Sequence, residues 1–328
     1  MNAFIIGGTG LIGYYASIEL LNHGHNVKSI GLTPPPHGNI FAESVKYKQA
    51  NIEELNDREL VTLMEGNDWL LYASSISANA VVKYPAVEYY RVHNLFTTER
   101  ILKLANLAKI KKVVLLSNYY EYFNIEWPSL RLDKFNPYIK ATYEQEISAR
   151  KFNTTNFQVV VLELPKVFGI MPYRRPIDYD DIVEIYKSRR IFNHKGGTAT
   201  MTVNQVAQAV VGAFEKGKGG KIYPLCGVNM SYAKINEIIK DAIGKERKIK
   251  NTIKFSVVIR AKQIIRSLQR QNLESGINPI NILAFKEKNA FIDNKYASLL
   301  GVTADDVEKQ ITLSVKRALE IAKLKGDI

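Results

Sequence analysis

Three glycines near the start of the chain have the spacing of a phosphate-binding turn. Gly7, Gly10 and Gly13 follow the pattern GxxGxxG, between an apolar segment and a stretch of helix-forming residues. The pattern predicts a tight turn at Gly7, close approach of the backbone to a pyrophosphate at Gly10, and close helix–strand packing at Gly13. The first N–H groups of the following helix would be free to bind the phosphates. These residues predict a dinucleotide site, and a tight turn without a ligand is the alternative.

The segments that must position this turn are of two kinds, which alternate along the first half of the chain. Short apolar segments predict strands at 3–6, 27–30, 45–47, 69–72, 113–116 and 157–162. Longer segments, with apolar residues at helical spacing, predict helices at 11–23, 57–65, 87–109 and 138–151. Strands that are apolar on both faces and alternate with helices indicate a doubly wound, parallel α/β sheet of the Rossmann type.

This alternation loosens after about residue 170, where helices are predicted at 204–215, 232–243, 254–271 and 304–325. We therefore expect a dinucleotide-binding Rossmann domain over residues 1–170 and a smaller substrate-binding lobe over residues 171–328. The sequence contains no internal repeat and no flexible linker. The two parts are therefore expected to interleave and to pack as one unit.

The composition excludes several classes of protein. The 328 residues are 46% apolar, and 45 Lys and Arg against 32 Asp and Glu give a formal net charge of +13. These proportions exclude disordered and collagen-like chains. The single cysteine, Cys226, excludes an internal disulfide and a cysteine-based zinc site. Because the chain has no signal-peptide pattern and no apolar run of membrane length, we expect a cytoplasmic protein with no membrane span.

Much of the excess positive charge lies in the C-terminal third. Residues 240–271 carry ten Lys or Arg and only two acids. This basicity points to an anionic ligand, a membrane surface or a solvated face. For the predicted helix at 254–271, a place in the substrate lobe is favoured over contact with an anionic membrane. No nucleic-acid motif is present. No metal site is expected either, since no cluster of carboxylates or cysteines accompanies His23 and His25.

Further motifs extend over nearly the whole chain. They are DWLLYASS at 68–75, Asn94 within VHNLFTTERIL, KKVVLLS at 111–117, NPYIKATYEQE at 136–146, LELPKVFG at 162–169, VNQVAQAV at 203–210 and FIDNKYASLLGV at 291–302. Together with GGTGLIG, these segments resemble those of an extended (atypical) short-chain dehydrogenase/reductase of the NAD-dependent epimerase/dehydratase family, with Glu163 at the usual arginine position. The resemblance implies an NAD(P)-dependent oxidoreductase, epimerase or dehydratase that acts on a carbonyl or hydroxyl centre of a small metabolite.

The resemblance also implies which residues contact the cofactor. They are Gly7, Thr9, Gly10, Leu11, Ile12, Gly13, Gly31, Leu32, Asn51, Ile52, Ala73, Ser74, Ser75, Asn94, Tyr138, Pro165 and Val167. NAD-specific members keep an acid at the end of the second strand, where this chain has Gly31. The missing carboxylate favours NADP over NAD, although Leu32 stands where an arginine often follows. Lys28 and His37 are candidates for the charge that a 2′-phosphate would need.

The expected catalytic site departs from the family pattern, which is Tyr-x-x-x-Lys on a helix with a Ser or Thr on strand five. Tyr138 matches the tyrosine, but Thr142 replaces the lysine four residues later. Ser117 ends the fifth strand, and Tyr119 stands at the usual hydroxyl position. A lysine one helical turn from the tyrosine lowers the tyrosine pKa. Lys140 does not replace it, because a residue two positions along lies on another face of the helix.

Three functions remain open on this pattern. In an altered enzyme, which is favoured, Tyr138 or Tyr119 donates a proton, Thr142 holds the cofactor ribose, and Lys166 supplies the missing charge. In a sensor or regulatory protein, the cofactor is bound without catalysis. In a scaffold, the cofactor is no longer bound.

The sequence says less about the substrate and the oligomeric state than about the cofactor site. The aromatic residues after strand five either line a substrate pocket or close the gap between the two parts of the chain; they are Tyr119, Tyr120, Tyr122, Phe123 and Trp127. The basic lobe suits an anionic metabolite such as a nucleotide-linked sugar. The resemblance further implies a homodimer formed through the helices at 87–109 and 138–151.

Overall fold

The computed structural model of the chain describes residues 1–35, 40–172, 174–188, 190–245, 248–251 and 254–328. Its strands are β1 Asn2–Ile6, β2 Asn26–Gly31, β3 Lys46–Gln49, β4 Trp69–Tyr72, β5 Val81–Lys83, β6 Lys112–Asn118, β7 Gln158–Leu164, β8 Lys166–Phe168, β9 Arg190–Asn193, β10 Gly197–Thr202, β11 Ile222–Pro224, β12 Val228–Ser231, β13 Lys248–Asn251, β14 Leu273–Ser275 and β15 Asn289–Ala290.

The helices lie between these strands. They are α1 Leu11–Asn22, α2 Ile40–Ser44, α3 Asp57–Met64, α4 Ala86–Tyr90, α5 Thr97–Leu107, α6 Tyr120–Glu126, α7 Leu132–Phe135, α8 Pro137–Lys151, α9 Tyr179–Lys187, α10 Val203–Glu215, α11 Tyr232–Ile243, α12 Lys254–Arg270, α13 Pro279–Lys286, α14 Lys295–Leu299 and α15 Val307–Lys325. A π-helical turn, Arg91–Phe96, joins α4 to α5, and a 3₁₀ turn, Pro128–Leu130, precedes α7.

Seven parallel strands form the main sheet, in the order β11-β7-β6-β4-β1-β2-β3. The side chains of β1 are buried on both faces, alternately against α1 and α10 and against α3 and α5. This arrangement confirms the predicted doubly wound α/β fold. Ile6, the last residue of β1, pairs in register with Ile30 of β2 and Tyr72 of β4. Ligands of such sheets bind at the carboxyl ends of the strands where the strand order reverses, which here is the edge after β1.

The chain beyond β8 returns to the main sheet and also builds a smaller region. α10 packs against α1, and β11 extends the main sheet beside β7. The smaller region has a sheet of order β12-β10-β15, with β8 paired to β10, and a core shared by α9, α11 and α15. β9 pairs with β13, and β5 pairs with β14. None of the helices in the described ranges has the length and apolarity needed to cross a membrane.

The helix predicted at 87–109 is divided by the π-helical turn Arg91–Phe96. Such a turn accommodates an extra residue and is frequent at functional sites. Gln145 of α8 donates from Nε2 to the Asn94 carbonyl oxygen over 3.3 Å and to Thr98 Oγ1 over 2.6 Å. These two contacts of Gln145 stabilise the widened turn. The spacing of apolar residues along the chain cannot predict such a turn, because the contacts come from a polar side chain of another helix.

Candidate functional site

The glycine turn between β1 and α1 has no room for side chains at two positions. Gly7 has a φ of 91°, and a Cβ atom there would lie 2.6 Å from the Ala73 carbonyl oxygen. A Cβ atom on Gly13 would lie 2.3 Å from the Gly7 carbonyl oxygen. Both distances are far below van der Waals contact, so both positions require glycine. The turn thereby brings the backbones of β1, α1 and the segment after β4 into close contact.

The N-terminus of α1 has no side-chain cap among the described residues. Gly10 is its N-cap residue, and the Gly10 N–H donates to the Gly7 carbonyl oxygen over 3.0 Å. The first helical bond runs from the Tyr14 N–H to the Gly10 carbonyl oxygen over 2.9 Å. The N–H groups of residues 11–13 precede this bond and are available to a ligand. Three donors at the positive end of a helix dipole fit a pyrophosphate group.

A cavity of 660 Å³ opens at this edge of the sheet. The predicted contact residues that line it are Gly7, Thr9, Gly10, Leu11, Gly31, Leu32, Asn51, Ile52, Ala73, Ser74 and Ser75. The predicted contact residues that do not line it are Ile12, Gly13, Asn94, Tyr138, Pro165 and Val167. Its volume lies within the range of about 300–1,000 Å³ that is usual for ligand sites. We call it the dinucleotide cavity below.

The dinucleotide cavity also has lining residues that the sequence motifs did not indicate. Glu53 and His93 are two of them, and Glu53 Oε1 lies 2.7 Å from His93 Nδ1. Arg174 and Arg175, from the loop that follows β8, are two more. His93 directly precedes Asn94 in the segment VHNLFTTERIL, so its position next to Asn94 could have indicated it as a lining residue. No motif used in the sequence analysis includes the two arginines.

Gly31 ends β2 at the dinucleotide cavity and is crowded by hydroxyl groups. A Cβ atom there would lie 2.6 Å from Thr9 Oγ1 and 3.2 Å from the Tyr47 hydroxyl oxygen. Tyr47 donates to the Gly31 carbonyl oxygen over 2.8 Å. A carboxylate side chain therefore has no space at this position. Lys28 does not line the cavity, and His37 lies outside the described residues.

Asn94 contacts a backbone segment that lines the dinucleotide cavity. It is buried, and its Oδ1 accepts from the Ile76 N–H over 3.1 Å. Ile76 follows residues 73–75, and all four line the cavity. In the described part of the chain, Asn94 Nδ2 has no hydrogen-bond partner. Asn94 thus positions the segment after β4 and leaves one buried donor unused.

Tyr138 is buried and covered. It is 9% exposed, and its ring packs edge-on against Tyr90 with the ring centres 5.4 Å apart. Its N–H donates to the Gly276 carbonyl oxygen over 3.0 Å, and Asn118 Nδ2 donates to its hydroxyl oxygen over 3.2 Å. Burial, and then the neighbouring Glu121, raise the pKa of Tyr138 far above its usual range. This direction is opposite to the one that proton transfer at neutral pH requires.

Thr142, at the position of the family's lysine, contacts a carboxyl group. Its hydroxyl bonds Glu121 Oε1 and also lies 3.0 Å from the Tyr138 carbonyl oxygen. Glu121 is fully buried, and its Oε2 has no hydrogen-bond partner within the described ranges. Burial, followed by the neighbouring Glu146, raises the pKa of Glu121 well above the usual glutamate range. A hydroxyl, and a carboxyl whose charged form is disfavoured by burial, therefore stand where the family pattern has an ammonium.

Glu121 belongs to a buried glutamate group with Glu146 of α8 and Glu163 of β7, each of them at most 2% exposed. Burial raises the pKa of Glu146 to about 8. Burial, together with the neighbouring Glu146, raises the pKa of Glu163 to about 9. At neutral pH the group therefore holds protons in place of negative charges.

The other two predicted catalytic hydroxyls make no hydrogen bond with Tyr138. Tyr119 is buried, and its hydroxyl bonds Thr198 Oγ1 of β10 over 3.0 Å. Burial also raises the pKa of Tyr119. Ser117 Oγ is buried and faces the Glu146 carboxyl, whose pKa this contact lowers against the larger effect of burial. These contacts argue against the role of proton donor or helper predicted for Tyr119, because its hydroxyl is already engaged by Thr198.

Lys166 forms an ion pair away from Thr142. Its Nζ lies 2.8 Å from Asp178 Oδ1. Burial lowers the pKa of Lys166, but the Asp178 carboxylate more than offsets this effect, so the net shift is upward and the amine stays charged. Because Asp178 neutralises that charge at short range, the pairing argues against the prediction that Lys166 replaces the missing lysine.

The aromatic residues after β6 pack on one another. The ring of Phe123 lies 4.3 Å from that of Trp127 and 5.5 Å from that of Phe285, between ring centres. Tyr119 lies 5.8 Å from Phe285, which belongs to α13 and is 1% exposed. These contacts agree with the interpretation that the aromatic residues close the gap between the two parts of the chain.

The sequence profile of the NAD dependent epimerase/dehydratase family matches residues 3–225, about two thirds of the chain. The chain belongs to this family. None of the curated proteins compared with it gives a match.

Solved structures of this family's fold cover almost the whole chain. MoeE5 in complex with UDP-glucose and NAD has a TM-score of 0.70 and 16% identity, and the match covers 98% of this chain and 99% of that one. The UDP-glucuronic acid 4-epimerase of Bacillus cereus has a TM-score of 0.70 and 14% identity, with 98% and 100% covered. The UDP-glucose 4-epimerase of Bifidobacterium longum has a TM-score of 0.67 and 16% identity, with 98% and 99% covered. At these identities the similarity shows the fold.

The chain's departures from the family pattern reduce the positive charge of the expected catalytic site. Thr142 stands at the lysine position and Glu163 at the usual arginine position, so two cations of the pattern are absent. The buried glutamate group occupies the same region with protonated carboxyls. The glycine turn, in contrast, keeps its pattern and its geometry. The glycine spacing of the family pattern is therefore present in this chain, whereas the lysine and the arginine of that pattern are absent.

Proposed function

We propose that this family member binds a nicotinamide dinucleotide without catalysing the family reaction, and that it acts as a cofactor-sensing or regulatory protein. The contrast between the two halves of the site carries this proposal. The dinucleotide cavity is open and is lined by most of the predicted contact residues. Tyr138 is covered, and its pKa is raised where catalysis would need it lowered.

Backbone groups and small side chains would hold the bound dinucleotide. The N–H groups of residues 11–13 and the backbone of Gly10 would bind the pyrophosphate. Asn51 and Ile52 would border the adenine, and residues 73–75 would border the rest of the cofactor. When bound, the cofactor supplies the hydride-transfer chemistry of its nicotinamide ring.

NADP(H) is the dinucleotide favoured for this site. The end of β2 carries no acid that would repel a 2′-phosphate. The surroundings of Gly31 are too crowded for an acidic side chain at that position. The MoeE5 and Bifidobacterium longum structures contain NAD. Under this proposal the chain prefers NADP(H), whereas those two structures contain NAD.

The state of Tyr138 supports the absence of catalysis. Proton transfer near neutral pH would need its pKa to fall from about 10 by about three units, which is roughly 4 kcal/mol. A neighbouring cation normally provides such a shift. Burial and Glu121 act in the opposite direction here. Tyr138 is therefore expected to keep its proton throughout the physiological pH range.

An oxidoreductase or epimerase acting on a nucleotide-linked sugar is the second candidate. One contact favours it, since the bond from Asn118 Nδ2 to the Tyr138 hydroxyl oxygen leaves the hydroxyl proton free for a substrate oxygen. Tyr138 is 9% exposed and its ring packs against Tyr90 of α4, so a substrate would reach its hydroxyl only if this packing changed. The binding function requires no such change.

A homodimer through the α4–α5 segment and α8 is also proposed. Val92 and Phe96 are each 50% exposed, and Ile147 of α8 is 41% exposed. Apolar side chains exposed on these elements offer a surface that a second copy of the chain would bury.

The ionisation of Tyr138 separates the two candidate functions without knowledge of the substrate. The ultraviolet absorbance of tyrosinate is compared between the wild type and Tyr138→Phe from about pH 6 to about pH 9, below the ordinary tyrosine pKa. We expect no difference between the two titrations, because Tyr138 stays protonated. A tyrosinate signal with a midpoint near neutral pH that is absent from Tyr138→Phe would contradict the non-catalytic proposal.

Thr142→Lys is expected to produce neither a tyrosinate at Tyr138 nor epimerisation of UDP-glucose. The new ammonium would enter beside Glu121, whose carboxyl would ionise and neutralise it. Tyr90 would still pack against the ring of Tyr138. The same absorbance titration and an epimerisation assay test this expectation, with Thr142→Met as a control for side-chain length without charge. If Thr142→Lys alone gains either signal, the lysine was the one missing part, and the expectation that Glu121 and the packing around Tyr138 prevent proton transfer is wrong.

A further inference from the structure

We propose that Arg174 and Thr33 form a phosphomonoester subsite at the mouth of the dinucleotide cavity, and that this subsite takes the 2′-phosphate of NADP(H). This inference rests on the proposed dinucleotide function and names the residues that decide the cofactor. The motifs of the sequence did not indicate either residue, since Arg174 belongs to the loop after β8.

The position of Arg174 is the first support for this subsite. Its Nη2 donates to Thr33 Oγ1 and, over 3.4 Å, to the Pro34 carbonyl oxygen. Thr33 follows the end of β2 by two residues, and both Thr33 and Arg174 line the dinucleotide cavity. The end of β2 is the place where this fold recognises the 2′ position of the adenosine ribose, and an arginine nearby accommodates a 2′-phosphate. Here that arginine comes from a distant segment.

The charge balance of the cavity is the second support. Within the described ranges, neither Arg174 nor Arg175 forms an ion pair, and the Arg175 guanidinium lies over the Tyr179 ring at 4.4 Å. Glu53 is the acid among the lining residues, and it is paired with His93. A guanidinium has five N–H donors in a fixed geometry, and the contacts to Thr33 and Pro34 both use Nη2. Arg174 therefore keeps donors and an unneutralised charge for an anion.

The hydroxyl groups around Gly31 are the third support. Thr33 Oγ1 donates to Thr9 Oγ1 over 3.1 Å, and a Cβ atom on Gly31 would lie 2.6 Å from the same Thr9 oxygen. The position at which an acid would accept bonds from the ribose hydroxyls is therefore occupied by uncharged hydroxyl groups. Uncharged hydroxyls beside a guanidinium that has no acidic partner among the lining residues suit a phosphate, because no carboxylate repels it.

Binding of matched ligands to wild type and Arg174→Ala tests the subsite. Calorimetry with adenosine 2′,5′-bisphosphate and with 5′-AMP compares ligands that differ only in the 2′-phosphate, and NADPH and NADH are compared in the same way. We expect the wild type to prefer the 2′-phosphorylated member of each pair by at least about tenfold, as for a charge-assisted contact. Arg174→Ala should reduce this preference to about twofold or less and leave NADH affinity nearly unchanged. Arg317→Ala, which removes a surface arginine outside the cavity, is the matched control.

The outcomes distinguish the subsite from the proposed function. If the wild type binds neither NADPH nor NADH, the proposed function fails. If it binds both and Arg174→Ala leaves the preference unchanged, the subsite alone is wrong. An equal loss of affinity for NADPH and NADH would overturn the subsite as well, because it would place Arg174 at the pyrophosphate. A wild-type preference for NADH would also overturn it.

Discussion

Gly10→Val is expected to abolish dinucleotide binding and to leave the fold intact. Gly10 has a φ of −79° and a ψ of 164°, a backbone conformation that valine adopts readily. The nearest atom to a Cβ at this position is the Gly7 carbonyl oxygen, at 3.2 Å, so the turn needs only a small adjustment. The valine methyl groups would instead enter the cavity where the pyrophosphate approaches the backbone.

Calorimetric titration with NADPH measures this effect. Losing two or more charge-assisted bonds from the α1 N-terminus should lower the affinity by at least about a hundredfold. The unfolding temperature of the ligand-free variant is the control for folding and should lie close to that of the wild type. Gly13→Ala is the contrasting variant, because its Cβ would clash with the Gly7 carbonyl oxygen and destabilise the fold itself. Retention of wild-type affinity by Gly10→Val would contradict the position given to the pyrophosphate.

Glu163→Gln is expected to stabilise the protein at neutral and alkaline pH. The pKa of Glu163 is raised to about 9 in the folded chain, so folding favours its protonated form. The contribution of such a group to stability is fully present below the ordinary glutamate pKa, near 4.3, and is lost as the pH rises through the folded value. A glutamine keeps the shape of the protonated acid and does not ionise in the unfolded chain. The free energy of unfolding at pH 7 should therefore rise by up to about 4 kcal/mol, because pH 7 lies about 2.7 units above the unfolded pKa and each unit is worth about 1.36 kcal/mol.

Urea unfolding of wild type and Glu163→Gln at several pH values between about 5 and 9 measures this difference. The two unfolding free energies should be similar at the acid end and diverge as the pH rises. Glu144→Gln is the matched control with the opposite sign, because the bond from Arg91 lowers the pKa of Glu144. Its carboxylate stabilises the fold above its ordinary pKa, so Glu144→Gln should destabilise the protein at neutral pH. If Glu163→Gln also destabilises at neutral pH, Glu163 is ionised in the fold and the description of the buried glutamate group is wrong.

The binding half of the site could be predicted from the sequence because its residues lie in short contiguous segments. Residues 7, 9–11, 31–32, 51–52 and 73–75 lie at or just after the carboxyl ends of strands of the main sheet and line the dinucleotide cavity. The carboxyl ends of neighbouring parallel strands meet at one edge, so a correct strand assignment is enough to bring these segments together. The fold class followed from the same alternation of strands and helices.

The covered state of Tyr138 could not be predicted from its own motif. Tyr90 and Gly276 reach it from segments far away in the chain, and no spacing rule relates them to α8. Glu121 and Glu163 lie on α6 and β7, and each is an ordinary glutamate within its own segment. Only the packing of these elements shows that the carboxyls are buried together in one region. Arg174 escaped prediction for the same reason, since its contact with Thr33 joins two distant loops.

Calorimetric titration of the purified, cofactor-free protein with NADPH and then NADH tests the central claim most directly. The account predicts one dinucleotide bound per chain, with NADPH bound more tightly than NADH. If neither NADPH nor NADH binds, the account is contradicted, because the glycine turn would then have only a structural role.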